Sequence, residues 1–284
     1  GFPEPVATPP ATQLPAANRS DRCQRMRTIT TSSDASMRRS GLIAGLCLLL
    51  MAVLAGLATF GVLERLVTEG DASRTASDII EAFGSFRLAI LALFLVAALD
   101  LVVAVALGVF FTRVHHAVAV LAAWCRGLYA VSFALAVSHL LAAARLLGDR
   151  RFPGATDRQL QLEVLAEIQQ FYDIWSLGLG LFGIHLLLIG WLVFNSDFVP
   201  RVIGVLVAVA GAGYLIDSLG GLLHATYTFE LASLTFIGEV VLMVWLLVFA
   251  ARRPLSERTT SDDHHLAGVS DPTTIRNSDQ ESRS

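Results

Sequence analysis

The run FVPRVIGVLVAVAGAGYLIDSLGGLLH, Phe198 to His224, constrains this chain more than any other stretch. Pro200 and Arg201 suit a helix start at a membrane surface, and the residues after them stay apolar almost until Asp217. At about 1.5 Å of rise per residue, such a helix crosses a hydrocarbon core of roughly 30 Å. Its carboxylate must then be explained against lipid rather than water. Similar runs recur along the chain, which is 54% hydrophobic and 16% charged with a mean hydropathy of +0.62. These values depart from soluble domains in the direction of a polytopic membrane protein.

The expected class is all-α, a polytopic membrane protein with six transmembrane helices in one bundle. The spans are read at 41–63, 86–111, 117–147, 174–194, 201–223 and 231–251. Residues 1–36 and 254–284 are polar, lack an apolar period and are expected to be disordered tails. The chain opens on Gly1, and Met37-Arg38-Arg39 would make a natural start, so the first 36 residues read as an extension. The first apolar run exceeds a signal peptide's apolar region and no clean AxA site follows, which favours an uncleaved anchor. Gly41, Gly45, Ala52 and Gly56 give that span small faces for helix contact.

Two links have patterns of their own. Ser73 to Phe83 predicts a short amphipathic helix with Ile79, Ile80 and Phe83 on the membrane surface. In the longest link, Thr156 and Gln159 have capping-box spacing. Val164, Leu165, Ile168, Phe171, Tyr172 and Trp175 then recur at helical spacing. An amphipathic helix there either lies on the interface or runs into the fourth span, with Tyr172 and Trp175 at headgroup level. Six spans put both termini on one side. Arg38, Arg39, Arg113, Arg201, Arg252 and Arg253 share that side in short flanks, against Arg65, Arg74, Arg87, Arg145, Arg150, Arg151 and Arg158 in longer links on the other, so the prediction of cytoplasmic termini rests mainly on Arg38 and Arg39 before the first span.

Several function classes lack support. Every one of the 21 basic residues is Arg, and the net charge of -3 gives no case for nucleic acid. Cys23, Cys47 and Cys125 form no CxxC, so neither a disulfide frame nor a zinc site is expected. No GxSxG or HExxH occurs, and the glycines of the fourth span follow no strand, as a phosphate loop would require. His115 and His116 read as a solvated basic turn. A haem held by His139 with His185 or His224 is the disfavoured reading. The chain is therefore expected to be non-enzymatic, with no cofactor and no metal, and with the lipid bilayer as its partner.

Five polar residues inside the spans are the candidate site: Asp100, Arg126, His185, Asp217 and Glu239. A charge at a span's centre costs about 2.5–3.5 kcal/mol unless it faces the bundle interior and is paired. Asp100 and Arg126 both lie roughly 15–17 Å from one face of neighbouring antiparallel spans, so they are predicted to pair. Asp217 and Glu239 both lie roughly 10–12 Å from the other face of a second hairpin, with His185 somewhat deeper. Two carboxylates this close cannot both ionise cheaply, so one is expected to have a raised pKa or to share a proton with His185, with Tyr214 and Ser218 placed to satisfy Asp217. A polar staple fixing helix register is the favoured role of these residues, and a proton-handling or small-ligand site is the alternative.

Several segments together resemble a bacterial multi-span membrane family known as domain of unknown function 4386. They are RSGLIAGLCLLL, GDASRTASDII with FGSFRLAI, Asp100 within ALDLVVAVAL, AAWCRGLYA, FGIHLLLIGWLVFNSDFVPRVIGVL, GYLIDSLG and FIGEVVLMVWLL. The stretch from Phe182 to Gly220 is the most specific. The resemblance implies a multi-pass protein of the bacterial inner membrane without an assigned activity. The family pattern includes Arg87, Asp100, Arg126, His185, Asp217 and Glu239 and gives them no role. Asn195 departs from it where a basic residue is expected. The function expected is a structural or scaffold role, with a small proton-coupled transporter using Asp217, Glu239 and His185 as the alternative.

Overall fold

The computed structural model describes residues 19–148, 157–223, 231 and 236–251. Helix α1 (Arg19–Ala58) continues through a π-helical turn at Thr59–Leu63 into α2 (Glu64–Leu66). It is followed by α3 (Ala72–Glu81), α4 (Phe83–Phe111), α5 (His116–Gly148), α6 (Asp157–Phe194), α7 (Arg201–Leu223) and α8 (Ile237–Ala251). Five of these rods, counting Ser36–Leu66 as one, are long and apolar enough to cross a membrane. The last, α8, has 15 residues and is about 22 Å long, short of the bilayer's hydrocarbon thickness.

Three expectations need correction. The part of the N-terminal tail from Arg19 to Ser36 is helical. Between Arg19 and Gly41 there is neither Pro nor Gly, and extending an existing helix costs far less than nucleating one. The short helix α3 is present, but Ile79 is buried completely rather than lying on the membrane surface, because α3 packs against α6. The last span was read from Leu231; its regular helix starts at Ile237. The tails at 1–18 and 252–284, the Thr156 cap, His224 and Glu230 lie outside the described residues.

Helix α6 runs without interruption from Asp157, so the amphipathic stretch enters the fourth span. Val164, Ile168 and Phe171 bury one face of it, and Tyr172 and Trp175 are half-buried. The α2–α3 link is set by local hydrogen bonds. Asp71 caps α3 by accepting from the Arg74 amide at 2.9 Å, and Gly70 turns the chain at φ 74°. The buried Thr75 hydroxyl takes the Thr68 amide at 3.0 Å and donates to the Thr68 carbonyl at 3.2 Å.

The crossing helices form a closed ring. Going round it, α1 packs on α4, α4 on α5, α5 on α6, α6 on α7, α7 on α8, and α8 returns to α1. Without a hydrophobic drive between helices in lipid, close approach depends on small residues. On the α6–α7 hairpin a Cβ at Gly183 would stand 2.7 Å from the Gly211 carbonyl, and one at Gly190 2.8 Å from the Gly204 carbonyl. The outward faces are apolar: Leu88, Val105, Trp124 and Val202 are each 65–69% exposed. Such faces suit acyl chains and not water. One end of the ring, where Arg38 reaches over Phe249, is closed by Phe110, Phe111, Phe198, Trp245 and Phe249 in edge and stacked contacts.

Candidate functional site: a polar layer inside the helix ring

Counted from the aromatic end, Asp100, Arg126, His185 and Glu239 each lie about ten residues in, roughly 15 Å. They come from α4, α5, α6 and α8 and form one layer. Asp100 and Arg126 are almost fully buried, at 1% and 3% exposure, and Asp100 Oδ1 lies 2.5 Å from Arg126 Nη2. That approach is a close, buried ion pair. The tight α4–α5 link makes the two helices antiparallel, which brings equal depths level.

Arg126 has further neighbours. Its Nη1 is 3.3 Å from His185 Nε2, and its guanidinium carbon lies 5.1 Å from the centre of the Phe182 ring. Phe182 stacks on His185 at 5.8 Å and meets Tyr214 edge-on at 5.3 Å. His185 Nδ1 is 2.8 Å from the Ala122 carbonyl. A carbonyl oxygen only accepts, so Nδ1 carries the proton. A guanidinium only donates, so Nε2 is bare and accepts from Arg126. His185 is therefore a neutral ring with both nitrogens engaged, one accepting from Arg126 and the other donating to the Ala122 carbonyl.

Glu239 enters this layer from the first turn of α8. Its side chain hydrogen-bonds with Tyr214, and its charged neighbours are Arg126 and Asp100. Tyr129 stands one turn from Arg126, within the field of the same charges, and its hydroxyl accepts from Trp175 Nε1 at 3.3 Å. Three buried atoms of the layer, Asp100 Oδ1, Arg126 Nε and Glu239 Oε1, make no hydrogen bond. The two carboxylate oxygens accept and Arg126 Nε donates, so a group meeting both needs must both donate and accept, as water does.

The expected trio of Asp217, Glu239 and His185 does not form. His185 belongs to Arg126 and Ala122, and Tyr214 serves Glu239 rather than Asp217. The reason is vertical. Gly238 abuts the backbone of Leu206 and Val207, eleven residues or about 16 Å along α7 from Asp217. Glu239 consequently sits deeper than a hairpin with two full-length arms would place it. Asp217 is half-buried and has interactions of its own. Ser218 is buried, its hydroxyl against Gly180. Sequence reasoning missed Tyr129, Phe182 and the Ala122 carbonyl. Tyr129 was visible in principle, three residues from Arg126 on the same helix face.

Other candidates lie apart from the layer. His139 Nδ1 pairs with Glu167 Oε2 at 2.7 Å, both side chains about a quarter exposed. His115 and His116 are exposed, and His115 Nδ1 accepts from the Val118 amide at 3.3 Å. Among the described residues, Cys47 and Cys125 are free, and no three His, Cys, Asp or Glu side chains group as metal ligands would.

An all-helical ring with apolar outer faces and a buried polar layer defines a polytopic α-helical membrane protein. The chain belongs to the family described as Domain of unknown function (DUF4386), whose sequence model matches residues 43–250. A relative from Archaeoglobus fulgidus, described as an uncharacterized protein, is 33% identical over 168 residues. That alignment covers 59% of this chain and 86% of the relative. No solved structure matches the chain.

Proposed function

We propose that the ring is a carrier-type, non-enzymatic membrane protein whose polar layer binds a proton or a small polar cation. We place it in the bacterial cell membrane with both termini cytoplasmic, on the strength of Arg38 and Arg39 ahead of the first span. One observation carries the reading. A single guanidinium serves two carboxylates: Arg126 pairs with Asp100 at close range and with Glu239 from farther off, so the layer holds one negative charge in excess, and Glu239 Oε1 makes no hydrogen bond. An uncompensated charge at this depth costs about 2.5–3.5 kcal/mol, a cost that a bound proton or cation removes. Arg126 Nε beside it makes no hydrogen bond and only donates, so it suits a water that accompanies the ligand and not the cation itself.

The test is proton uptake by proteoliposomes carrying a trapped pH dye, comparing wild type with Glu239→Gln and Asp217→Asn. Flux lost in Glu239→Gln and kept in Asp217→Asn supports the reading. Equal flux in all three proteins defeats it. A purely structural role is the second reading, favoured by the close Asp100–Arg126 pair and the locked His185. It expects Glu239→Gln to change stability and no flux.

A further inference from the structure

Two grooves on the outer face of the ring flank α4, at opposite ends of it. The first, about 590 Å³, lies between α1 and α4 on the aromatic-closed end. Its floor and walls are Ile43, Leu101, Val102 and Val105, and Arg39 and Ser36 stand at its mouth. The second, about 350 Å³, lies between α4 and α5 at the other end, with Leu91, Phe94 and Val137 inside and Arg87 at its mouth. Each therefore joins an apolar slot to one guanidinium at the depth where headgroups begin. Arg38 and Arg39 diverge: Arg38 reaches over Phe249 towards α8, and Arg39 stays on the α4 side, exposed.

We propose that these two grooves are phospholipid sites, each taking one acyl chain in the slot and the lipid's phosphate at its arginine, with a preference for anionic headgroups. Shape and charge argue for this occupant together. The slots open sideways, to where acyl chains lie, so an aqueous ligand has no reason to fill them. Their walls offer almost no polar atoms, so a free phosphate would meet only the rim. A guanidinium matches a phosphodiester with paired N–H donors, and juxtamembrane basic residues favour anionic lipid. In the first groove the Ser36 hydroxyl adds a donor beside Arg39, whereas Ser40 is already bonded to the Met37 carbonyl at 2.9 Å. From Ser36 to Ile43 the slot follows about 10 Å of helix, enough for the upper half of an acyl chain.

The test reconstitutes the full chain in phosphatidylcholine vesicles containing a few per cent of a phosphatidylglycerol with a photoactivatable acyl chain. Labelled peptides are then mapped. The proposal expects label concentrated on residues 36–43 with 101–109, and on residues 87–94 with 134–141. Arg39→Gln should reduce only the first set, by about fivefold, the weight of one basic residue at an anionic surface. Arg87→Gln should reduce only the second. Val105→Trp, which fills the first slot and keeps its charge, should also empty the first set alone. Label spread evenly over all lipid-facing helices overturns the proposal, as does label indifferent to both arginines. Equal labelling by a photoactivatable phosphatidylcholine overturns the anionic preference. Circular dichroism of each variant establishes that a lost label is not lost fold.

Discussion

The polar layer predicts an asymmetry between the two partners of its ion pair. Arg126 serves Asp100, His185 and Glu239 together, whereas Asp100 serves Arg126 alone. Breaking a buried pair from one side costs about 3–5 kcal/mol, because an uncompensated charge stays behind. Arg126→Met leaves two carboxylates without a cation and His185 Nε2 without a donor, so it should sit at or beyond the upper end, about 5 kcal/mol. Asp100→Leu leaves Arg126 still facing Glu239, so it should sit near the lower end, about 3 kcal/mol. The gap of about 2 kcal/mol should close in Asp100→Leu with Glu239→Gln, which strips Arg126 of both counter-charges. The assay is helix content by circular dichroism as dodecyl sulfate displaces a mild detergent, with reversible transitions for every variant. If Asp100→Leu is as damaging as Arg126→Met, Glu239 does not share the guanidinium and the layer has been wrongly assembled.

Other outcomes follow from contacts elsewhere. Gly183→Ala sets a Cβ 2.7 Å from the Gly211 carbonyl, so the same titration should show a loss of about 1–3 kcal/mol. Gly127→Ala, with nothing within 4 Å, should be neutral or stabilising by up to about 1 kcal/mol. Thr75→Val removes the hydroxyl that satisfies both backbone groups of Thr68, and should cost about 1–3 kcal/mol and speed proteolysis of the α2–α3 link. His139→Ala should cost at most about 1 kcal/mol, since its partner Glu167 is also about a quarter exposed and solvent screens the pair.

What could be read from residues alone divides along physical lines. The rods were legible because lipid demands length and apolarity, and those are properties of contiguous sequence. The level pairing of Asp100 and Arg126 was legible because a four-residue link between Phe111 and His116 forces α4 and α5 to be antiparallel neighbours. The partner of Glu239 was not, because its depth depends on where α8 begins, and Gly238 against Leu206 sets that by tertiary contact. His185 was placed in the right span with the wrong neighbours: its rotation about α6 follows from Gly183 and Gly190 turning towards α7, which leaves the ring nitrogens facing α5. Closure of α1 onto α8 joins the first and last of the described helices and carries no local signal at all.

The ring fixes helix register in two different ways, and the difference separates structure from function within one layer. Between α6 and α7, glycines bring backbone against backbone, and a slip by one turn would drive side chains into carbonyls. Between α4 and α5 a Cβ at Gly108 would meet Ala123 at 3.2 Å, the α4–α5 contact that comes nearest to such a lock. Two apolar helices in lipid slide past one another at little cost, since either register leaves equally apolar surface facing the acyl chains. A slip of one turn, about 5.4 Å, would part Asp100 from Arg126 and incur the roughly 3–5 kcal/mol of a broken buried pair. The pair thus supplies to α4 and α5 what glycine supplies to α6 and α7. Glu239 has no such duty, because α8 is already held at depth by Gly238 on Leu206 and by Gly45 of α1 against Leu247. On the proposed carrier reading, a carboxylate that register does not require, set beside an arginine that register does, is the group available to take up the proton.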